Sequence, residues 1–263
     1  MLLVLDIGNT HTVVGLFDGD RLVHDWRIHT EARLTDDELN LTISRFFRQA
    51  GIDSSGIHQT VVSCVVPPLA GAVESFCIKY LGHKPDWVSH KTVDMPVLLN
   101  NPAEIGADRL VNAVAAYEKY RCPLIIIDFG TATTFDCISQ NGEYMGGVIA
   151  PGIGISAEAL FAKAAKLPRV ELIDAPENAI GKETADSMKS GLLYGYTDLV
   201  DGMVRRIARE MGAAPKVVAT GGLSAVIHRL SETIQSTEPG LTLEGLRILA
   251  EKIAAGRKRP PSA

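Results

Sequence analysis

The sequence predicts an α/β protein built from two similar halves, because one strand-and-turn pattern occurs twice. A hydrophobic strand runs into Asp-Ile-Gly-Asn at residues 6–9, and another runs into Asp-Phe-Gly-Thr at residues 128–131. β-like segments follow each turn, and helical patterns follow these segments. A chain of 263 residues has room for two domains of ordinary size. We predict an N-terminal domain over residues 1–120, a C-terminal domain over 121–255 and a disordered tail over 256–263.

The composition is that of a globular protein and excludes several classes of function. With 46% hydrophobic and 22% charged residues, the chain can bury a sizeable core, which rules out intrinsic disorder of the whole. There are 26 basic and 31 acidic residues, which give a net charge of −5. Nucleic acid and anionic membranes are therefore not expected as partners, because both attract a basic surface.

The termini and cysteines favour a cytoplasmic protein. The apolar N-terminus has no preceding basic region, so it reads as a first strand rather than a signal peptide. The longest other apolar stretch, Val61–Val73, contains Pro67 and Pro68 and is too short to cross a membrane. Four cysteines without a CxxC pair indicate reduced thiols.

The first half reads as a β-meander followed by alternating helices and strands. The meander covers residues 2–29, where apolar segments are separated by tight turns. Thr35 and Glu38 form a capping pattern before a one-sided apolar repeat, which predicts a helix over 36–50. Further predicted elements are a strand over 60–66, a helix from Pro67 to about Gly82, a short strand over 87–89 and a helix beginning near Asp108.

The second half repeats the order of strands before helices. Its predicted strands cover about 124–127, 134–138, 143–149 and 216–220. Its predicted helices cover about 153–165, 184–212 and 243–253. The tail from Arg257 onward has no apolar face and is expected to be disordered.

The two Asp-x-Gly turns suit phosphate binding. A tight glycine turn after a strand lets backbone N–H groups approach a phosphate, and a carboxylate at the strand end can hold a hydrated cation. A single turn of this kind is common for steric reasons alone. Two turns at equivalent places could bind a polyphosphate from both sides. A third glycine element, Thr-Gly-Gly at residues 220–222, is by itself also compatible with an ordinary turn between a strand and a helix.

These motifs resemble those of a known superfamily. In order, residues 6–10, 128–131 and 220–222 resemble the two phosphate motifs and the adenosine motif of the actin-like ATPases, which include sugar kinases and acetate kinase. Four motifs narrow the resemblance to the type III pantothenate kinases: Asp-Ile-Gly-Asn-Thr at 6–10, Asn-Pro-Ala-Glu-Ile-Gly-Ala-Asp-Arg at 101–109, Gly-Gly-Val-Ile-Ala-Pro-Gly at 146–152 and Gly-Lys-Glu-Thr-Ala-Asp-Ser-Met at 181–188.

The resemblance covers residues 3 to about 255 and implies both fold and activity. The implied fold is two ribonuclease-H-like domains with mixed sheets flanked by helices. The implied reaction is ATP-dependent phosphorylation of pantothenate to 4'-phosphopantothenate, the first step of coenzyme A biosynthesis. A homodimer in the cytoplasm is implied as well.

For the substrate, the resemblance implies that Asp108 is the general base, placed where a carboxylate could otherwise serve only the start of a helix. Gly106, Ala107, Asp108 and Arg109 would form part of the pantothenate site, with Arg109 meeting the substrate carboxylate or, alternatively, forming a surface salt bridge. Thr184 resembles a substrate-binding threonine; a helix N-cap is the alternative, and the two roles are compatible.

For the nucleotide, the resemblance implies binding residues in both halves of the chain, together with a divalent and a monovalent cation. Asp6 would orient Mg²⁺ directly or through water, unless it only closes the turn. Asp128 would hold a monovalent cation, K⁺ or NH₄⁺. His11 could face the nucleotide or, alternatively, solvent. The implied ATP- and phosphate-binding residues are Asp6, Ile7, Gly8, Asn9, Thr10, His11, Thr12, Val13, Thr131 and Gly221.

Two rival functions and one departure from the family remain. The family includes Bvg accessory factors, linked to transcriptional control, so a non-catalytic regulator is one alternative; the intact Asp6, Asp108 and Asp128 argue against it. A kinase for another small acid or a sugar is the second alternative. Many relatives carry tyrosine two residues before Asn101, where this chain has Leu99.

Overall fold

The structure is a computed structural model that describes residues 1–257. The disordered tail predicted over 256–263 is wrong at residues 256 and 257, which continue the last helix, and residues 258–263 lie outside the described residues. Contacts divide the chain into two units. Within the described residues, unit 1 comprises 1–95, 100–115 and 241–257, and unit 2 comprises 96–99 and 116–240. Nothing in the described chain is a helix long and apolar enough to cross a membrane.

Unit 1 is built on a mixed five-stranded sheet. Its strands are β1 (Leu2–Ile7), β2 (His11–Asp18), β3 (Arg21–His29), β4 (Gln59–Cys64) and β5 (Asp86–Trp87). The order across the sheet is β3-β2-β1-β4-β5. β1, β2 and β3 form the predicted antiparallel meander, whereas β4 and β5 run parallel to β1.

Two helices cover one face of this sheet. Helix α1 (Asp36–Ala50) begins at the predicted capping box, in which Thr35 Oγ1 accepts the Glu38 N–H and the Glu38 carboxylate accepts the Thr35 N–H. It ends at Gly51, whose φ of 68° favours glycine. Helix α2 (Ala70–Phe76) is flanked by a 3₁₀ turn over 67–69 and a π-helical turn over 77–81. The first core consists of apolar residues of β1 and β2 with Leu39, Ile43, Phe47, Leu69, Val73 and Phe76.

Unit 2 is built on a second mixed sheet. Its strands are β6 (Leu124–Phe129), β7 (Ala132–Ile138), β8 (Tyr144–Pro151), β9 (Lys216–Gly221) and β10 (Ser236–Thr237), in the order β10-β9-β6-β7-β8. Read from β8, this order and its strand directions match those of the first sheet. The repeat seen in the sequence is therefore a repeat of topology.

The helices of unit 2 are α4 (Ile153–Lys163), α5 (Thr184–Met211) and α6 (Ser224–His228). Buried residues of α5 pack with Ile125, Ile127, Phe135 and Val217 in the second core. Each sheet thus has one face covered by helices of its own unit.

The last helix does not follow the predicted division. Helix α7 (Leu241–Arg257) packs against β1 and β4 of unit 1, although the predicted boundary of 121–255 assigned it to the second half. Gly15 permits this packing, because a side chain there would lie 3.1 Å from Leu243. In the same unit, Thr242 Oγ1 donates to Asn112 Oδ1 at 2.8 Å, on helix α3 (Ala107–Tyr120). Periodicity identifies such a helix but not the sheet it covers.

Candidate active site

The turn after β1 is tight and exposes its tip. The Gly8 N–H donates to the carbonyl oxygen of His11 at 3.0 Å, so Asn9 and Thr10 lie at an exposed tip. Thr30, just after β3, donates two hydrogen bonds to this turn. Its N–H donates to Thr10 O at 3.0 Å, and its hydroxyl donates to Gly8 O at 2.7 Å. These three hydrogen bonds stabilise the turn without a ligand.

The predicted nucleotide residues divide between the two faces of the sheet. Ile7 lies in the first core, and the buried Thr12 shares a 2.9 Å hydrogen bond with the Thr30 hydroxyl, so only the backbone of these two residues can meet a phosphate. Side chains alternate along a strand, which places Asp6 on the opposite face. Val13 is its partner in the β1–β2 register, and His11 shares this face.

His11 is half-buried beside a second histidine. Its ring centroid lies 5.1 Å from that of His29, its partner on β3. Burial lowers the pKa of His11, and the nearby His29 and Arg27 lower it further. The ring is thus neutral near pH 7, with one donor and one acceptor nitrogen.

Asp108 lies in the first turn of α3, where its Oδ1 accepts the Arg109 N–H at 2.8 Å. Burial raises the pKa of this carboxyl, while the Arg109 N–H and the Arg109 charge act in the opposite direction. Asp108 therefore interacts with the start of α3, as the alternative prediction for this carboxylate expected. A raised pKa also makes the ionised carboxylate a stronger base.

Gly106 leaves the space that this carboxylate fills. A Cβ at residue 106 would overlap Asp108 Oδ1 and would lie 3.6 Å from Val65 Cγ1, just after β4. Its φ is not in the left-handed region, so the need for glycine here is one of space rather than of backbone conformation. Ala107 is buried and Arg109 is half-buried.

The second Asp-x-Gly turn, after β6, is closed by the Gly130 N–H, which donates to Ala132 O at 3.1 Å, and it leaves Thr131 exposed. Two glycines let other segments approach it. Gly221 has a φ of 88°, and a Cβ there would lie 2.6 Å from Asp128 Oδ1. A Cβ at Gly152 would lie 2.7 Å from Gly130 O.

Thr184 is the exposed first residue of α5. The alternative prediction that it caps this helix is wrong, because the N-cap is Glu183, in an extended conformation and without a side-chain cap. The chain folds back here: the Ser187 N–H donates to Glu183 O at 2.9 Å, and a Cβ at Gly181 would lie 2.7 Å from Ser187 Oγ.

Comparison with known proteins gives the family. The sequence profile of the type III pantothenate kinases matches residues 2–206. This chain belongs to the type III pantothenate kinases. A relative of that name from Desulfatibacillum aliphaticivorans is 58% identical over 255 residues, which cover 97% of this chain and 99% of the relative. The predicted family is confirmed.

Two solved structures share the fold of this pantothenate kinase family member. A candidate Baf family transcriptional activator from Campylobacter jejuni has a TM-score of 0.62 at 17% identity, covering 96% of this chain and 99% of its own. Lmo2764 from Listeria monocytogenes, a candidate N-acetylmannosamine kinase, has a TM-score of 0.55 at 12% identity, covering 98% and 99%. Because the identities are this low, these matches show the fold alone. The shared fold confirms the predicted two-domain α/β architecture.

Two residues around the site were not predicted from the sequence. Thr30 holds the turn after β1 through its hydrogen bonds; the signal was available, since extending the β2–β3 pairing by one residue places it opposite Thr10. Gly152 lies in a quoted motif, but its approach to Gly130 required coordinates.

Proposed function

We propose that this chain transfers the γ-phosphoryl group of ATP to the 4'-hydroxyl of pantothenate, giving 4'-phosphopantothenate for coenzyme A biosynthesis. The observation that carries the proposal is the family match over nearly the whole chain. Three of the four motifs that resemble the family include a turn or a helix start, and the fourth, at 146–152, runs along β8 to the N-cap of α4. The four cysteines are free thiols, which suits a reducing cytoplasm as the proposed location.

Asp108 is the proposed general base, which accepts the proton of the attacking hydroxyl. Its support is burial, which raises the pKa of the carboxyl, together with the space left by Gly106. Phosphoryl transfer needs this proton acceptor less than it needs positioning and charge neutralisation. Gly106, Ala107 and Arg109 are the proposed neighbours of pantothenate, with the Arg109 guanidinium pairing with its carboxylate. Thr184 is proposed to bind the same substrate.

The first phosphate turn is the proposed triphosphate contact of unit 1. Asn9 and Thr10 are exposed, and the backbone N–H groups of such a turn suit phosphate oxygens; the neutral His11 adds a donor on the Asp6 face. In unit 2, Thr131 would contact the phosphates, and Gly221 and Gly222 would contact the adenosine.

The residues present fit the two proposed cations. Asp6 offers a carboxylate at a strand end, and the nearby Ser63 hydroxyl is buried without a partner among the described residues, so the face supplies oxygen donors for hydrated Mg²⁺. When bound, Mg²⁺ neutralises charge on the phosphate oxygens. For K⁺ or NH₄⁺, a Cβ at Gly221 would occupy the space beside the Asp128 carboxylate.

A homodimer is the proposed working unit, supported by apolar surface on unit 2. The edge strand β8 exposes Ile149, which is 65% accessible, and α4 exposes Ile155, Leu160 and Phe161. Ile180, four residues before Thr184, is 78% accessible. β8 and α4 are consecutive in the chain, and exposed apolar patches mark interaction sites. A two-fold pair is the commonest closed assembly of a single chain.

A coupled ATPase assay tests the proposed reaction. Purified protein with Mg²⁺ and K⁺ is incubated with pantothenate, with a panel of sugars or with acetate, and the phosphorylated product is identified by mass spectrometry. We expect ADP release stimulated by pantothenate alone and a product heavier by one phosphoryl group. Stimulation by a sugar or by acetate would assign another substrate, and no stimulation by any of them would favour a regulator.

A further inference from the structure

Strand β4 carries a buried hydroxyl that the proposed mechanism does not use. Ser63 is 0% accessible, and its Oγ has no hydrogen-bond partner among residues 1–257. A buried polar group without a partner destabilises the folded state, and such groups are few in native proteins. This hydroxyl therefore calls for an explanation beyond packing.

Ser63 lies on the strand that passes both proposed functional carboxylates of unit 1, those of Asp6 and Asp108. β4 runs parallel to β1, and Ser63 is the register partner of Asp6, so the two side chains share one face of the sheet. Val65, two residues further on, lies beside the space at Gly106 that the Asp108 carboxylate fills. The hydroxyl thus lies next to Asp6 on the strand whose end lies near Gly106, just before α3.

The equivalent residue of unit 2 has a different hydrogen-bond partner. Thr220 on β9 is the register partner of Asp128, as Ser63 is of Asp6. The Thr220 hydroxyl donates to Glu238 O at 2.8 Å. The repeat therefore places a hydroxyl beside each aspartate, but within residues 1–257 only the one beside Asp128 has a hydrogen-bond partner.

A second hydroxyl without a partner provides a contrast. Thr133 Oγ1 is buried and has no partner among the described residues. Thr133 alternates in step with Phe135 and Cys137, which places it on the face of β7 that packs into the second core. It does not share a sheet face with Asp128, so it is a matched control.

We propose that Ser63 is a positioning residue for Mg²⁺, and that its hydroxyl hydrogen-bonds a water of the cation's hydration shell beside Asp6. The inference rests on the proposed function, because that function brings Mg²⁺ to the Asp6 face. Mg²⁺ usually keeps several waters in protein sites, and each needs acceptors beyond the carboxylate. A neutral hydroxyl supplies one without adding charge.

Calorimetric binding of a non-hydrolysable ATP analogue tests this role, with Mg²⁺ and with EDTA. For Ser63→Ala we expect about two- to tenfold weaker binding of the Mg²⁺ complex, the range for one hydrogen bond, and unchanged binding of the metal-free analogue. Thr133→Val is the control and should leave both affinities unchanged. Ser63→Thr retains the hydroxyl, in the form found at Thr220, and should bind like the wild type.

Thermal unfolding without ligand accompanies the titrations. Ser63→Ala should unfold at the wild-type temperature or above, because it removes an unsatisfied buried hydroxyl. Wild-type affinity of Ser63→Ala for the Mg²⁺ complex, or equal weakening with and without Mg²⁺, would overturn the role of Ser63. If Ser63→Ala is unfolded, Ser63→Thr decides: failure to bind the Mg²⁺ complex despite its hydroxyl overturns the role as well. Wild-type protein whose binding ignores Mg²⁺ would instead overturn the proposed function, and this inference with it.

Discussion

Asp108 combines a buried carboxyl with a proposed need for its ionised form. Replacing it by Asn keeps the shape and an acceptor for the Arg109 N–H but removes the proton acceptor. We expect kcat of Asp108→Asn to fall by about 10²–10⁴-fold, the usual range for a general base. Because burial raises the pKa of Asp108, the acid limb of the wild-type kcat–pH profile should lie above the ordinary aspartate range. Near-normal kcat in a folded variant would contradict the assignment.

The same substitution has a second readout in stability. A carboxyl whose pKa is raised by folding stabilises the protein below its unfolded pKa, and that contribution is lost as the pH rises through the folded pKa. At pH 7 the wild type therefore carries a buried charge that Asp108→Asn lacks. We expect the variant to unfold at a higher temperature at pH 7, with a smaller difference towards pH 4. A variant less stable at both pH values would mean that the charge is better compensated than its burial indicates.

Gly106 offers a test of how closely the carboxylate must be placed. Gly106→Ala puts a methyl group on Asp108 Oδ1 and displaces it, while the backbone conformation remains accessible to alanine. A displacement of this size should lower kcat by about tenfold to a hundredfold. The control is Gly71→Ala in α2, where the added methyl group meets open space; it should leave kcat unchanged and stabilise by about 0.5–1 kcal/mol. Equal kcat in both variants would show that the Asp108 position is not critical.

At the scale of elements, the turn after β1, the proposed phosphate contact of unit 1, depends on Thr30 just after β3. Thr30→Val keeps the shape of the side chain but removes the hydroxyl that bonds Gly8 O and Thr12. The loosened turn should raise KM for ATP by about two- to tenfold, with little change in KM for pantothenate. Thr42→Val is the control, because it removes a hydroxyl bond to Glu38 O within α1. If both variants leave KM for ATP unchanged, the turn is held by its backbone alone.

The second turn should respond to the monovalent cation. Asp128 lies beside the space at Gly221, and a loose oxygen cage suits a large cation of low charge density. We expect activity to be higher in K⁺ or NH₄⁺ than in Na⁺ at equal ionic strength, and Asp128→Ala to remove that preference. Initial rates in the three chloride salts measure it. Equal wild-type rates would count against this site.

At the scale of the whole molecule, local sequence patterns predicted the helices and strands, but they did not predict contacts between residues distant in the sequence. The repeated strand and turn predicted the two-sheet fold. The capping box and the apolar repeat after it predicted both ends of α1 correctly. The place of α7 on the first sheet depends on Gly15 and Leu243, which are far apart in the chain. The start of α5 at Thr184 was predicted correctly, but the alternative N-cap role of Thr184 was wrong, because a threonine at a helix start fits the N-cap and the first helical position equally well. The Ser63 hydroxyl stood out only once its missing partner could be seen.

The assembly should be a dimer held by the exposed apolar surface of unit 2. Light scattering should give twice the mass of the 28.3 kDa chain. Ile149→Glu on the edge strand and Leu160→Glu on α4 place charges on that surface and should yield monomers that remain folded, as judged by circular dichroism. Leu41→Glu on α1, more exposed than either residue but on unit 1, is the control and should stay dimeric. A wild-type monomer with full activity would refute the dimer.

Mixing two inactive variants tests whether the dimer shares its sites. Asp108→Asn carries a defect in the proposed base, and Thr184→Ala carries one in the proposed substrate contact. If Asp108 of one chain works with Thr184 of the partner subunit, a mixed dimer collects both defects in one site and leaves the other intact. Part of the activity then returns after subunit exchange, up to about half in each mixed dimer because one site of two is restored. If each chain supplies both residues, every site keeps one defect and the mixture stays inactive. Exchange itself is followed by mass spectrometry of differently tagged chains, so that a silent mixture with proven exchange excludes a site shared by this pair.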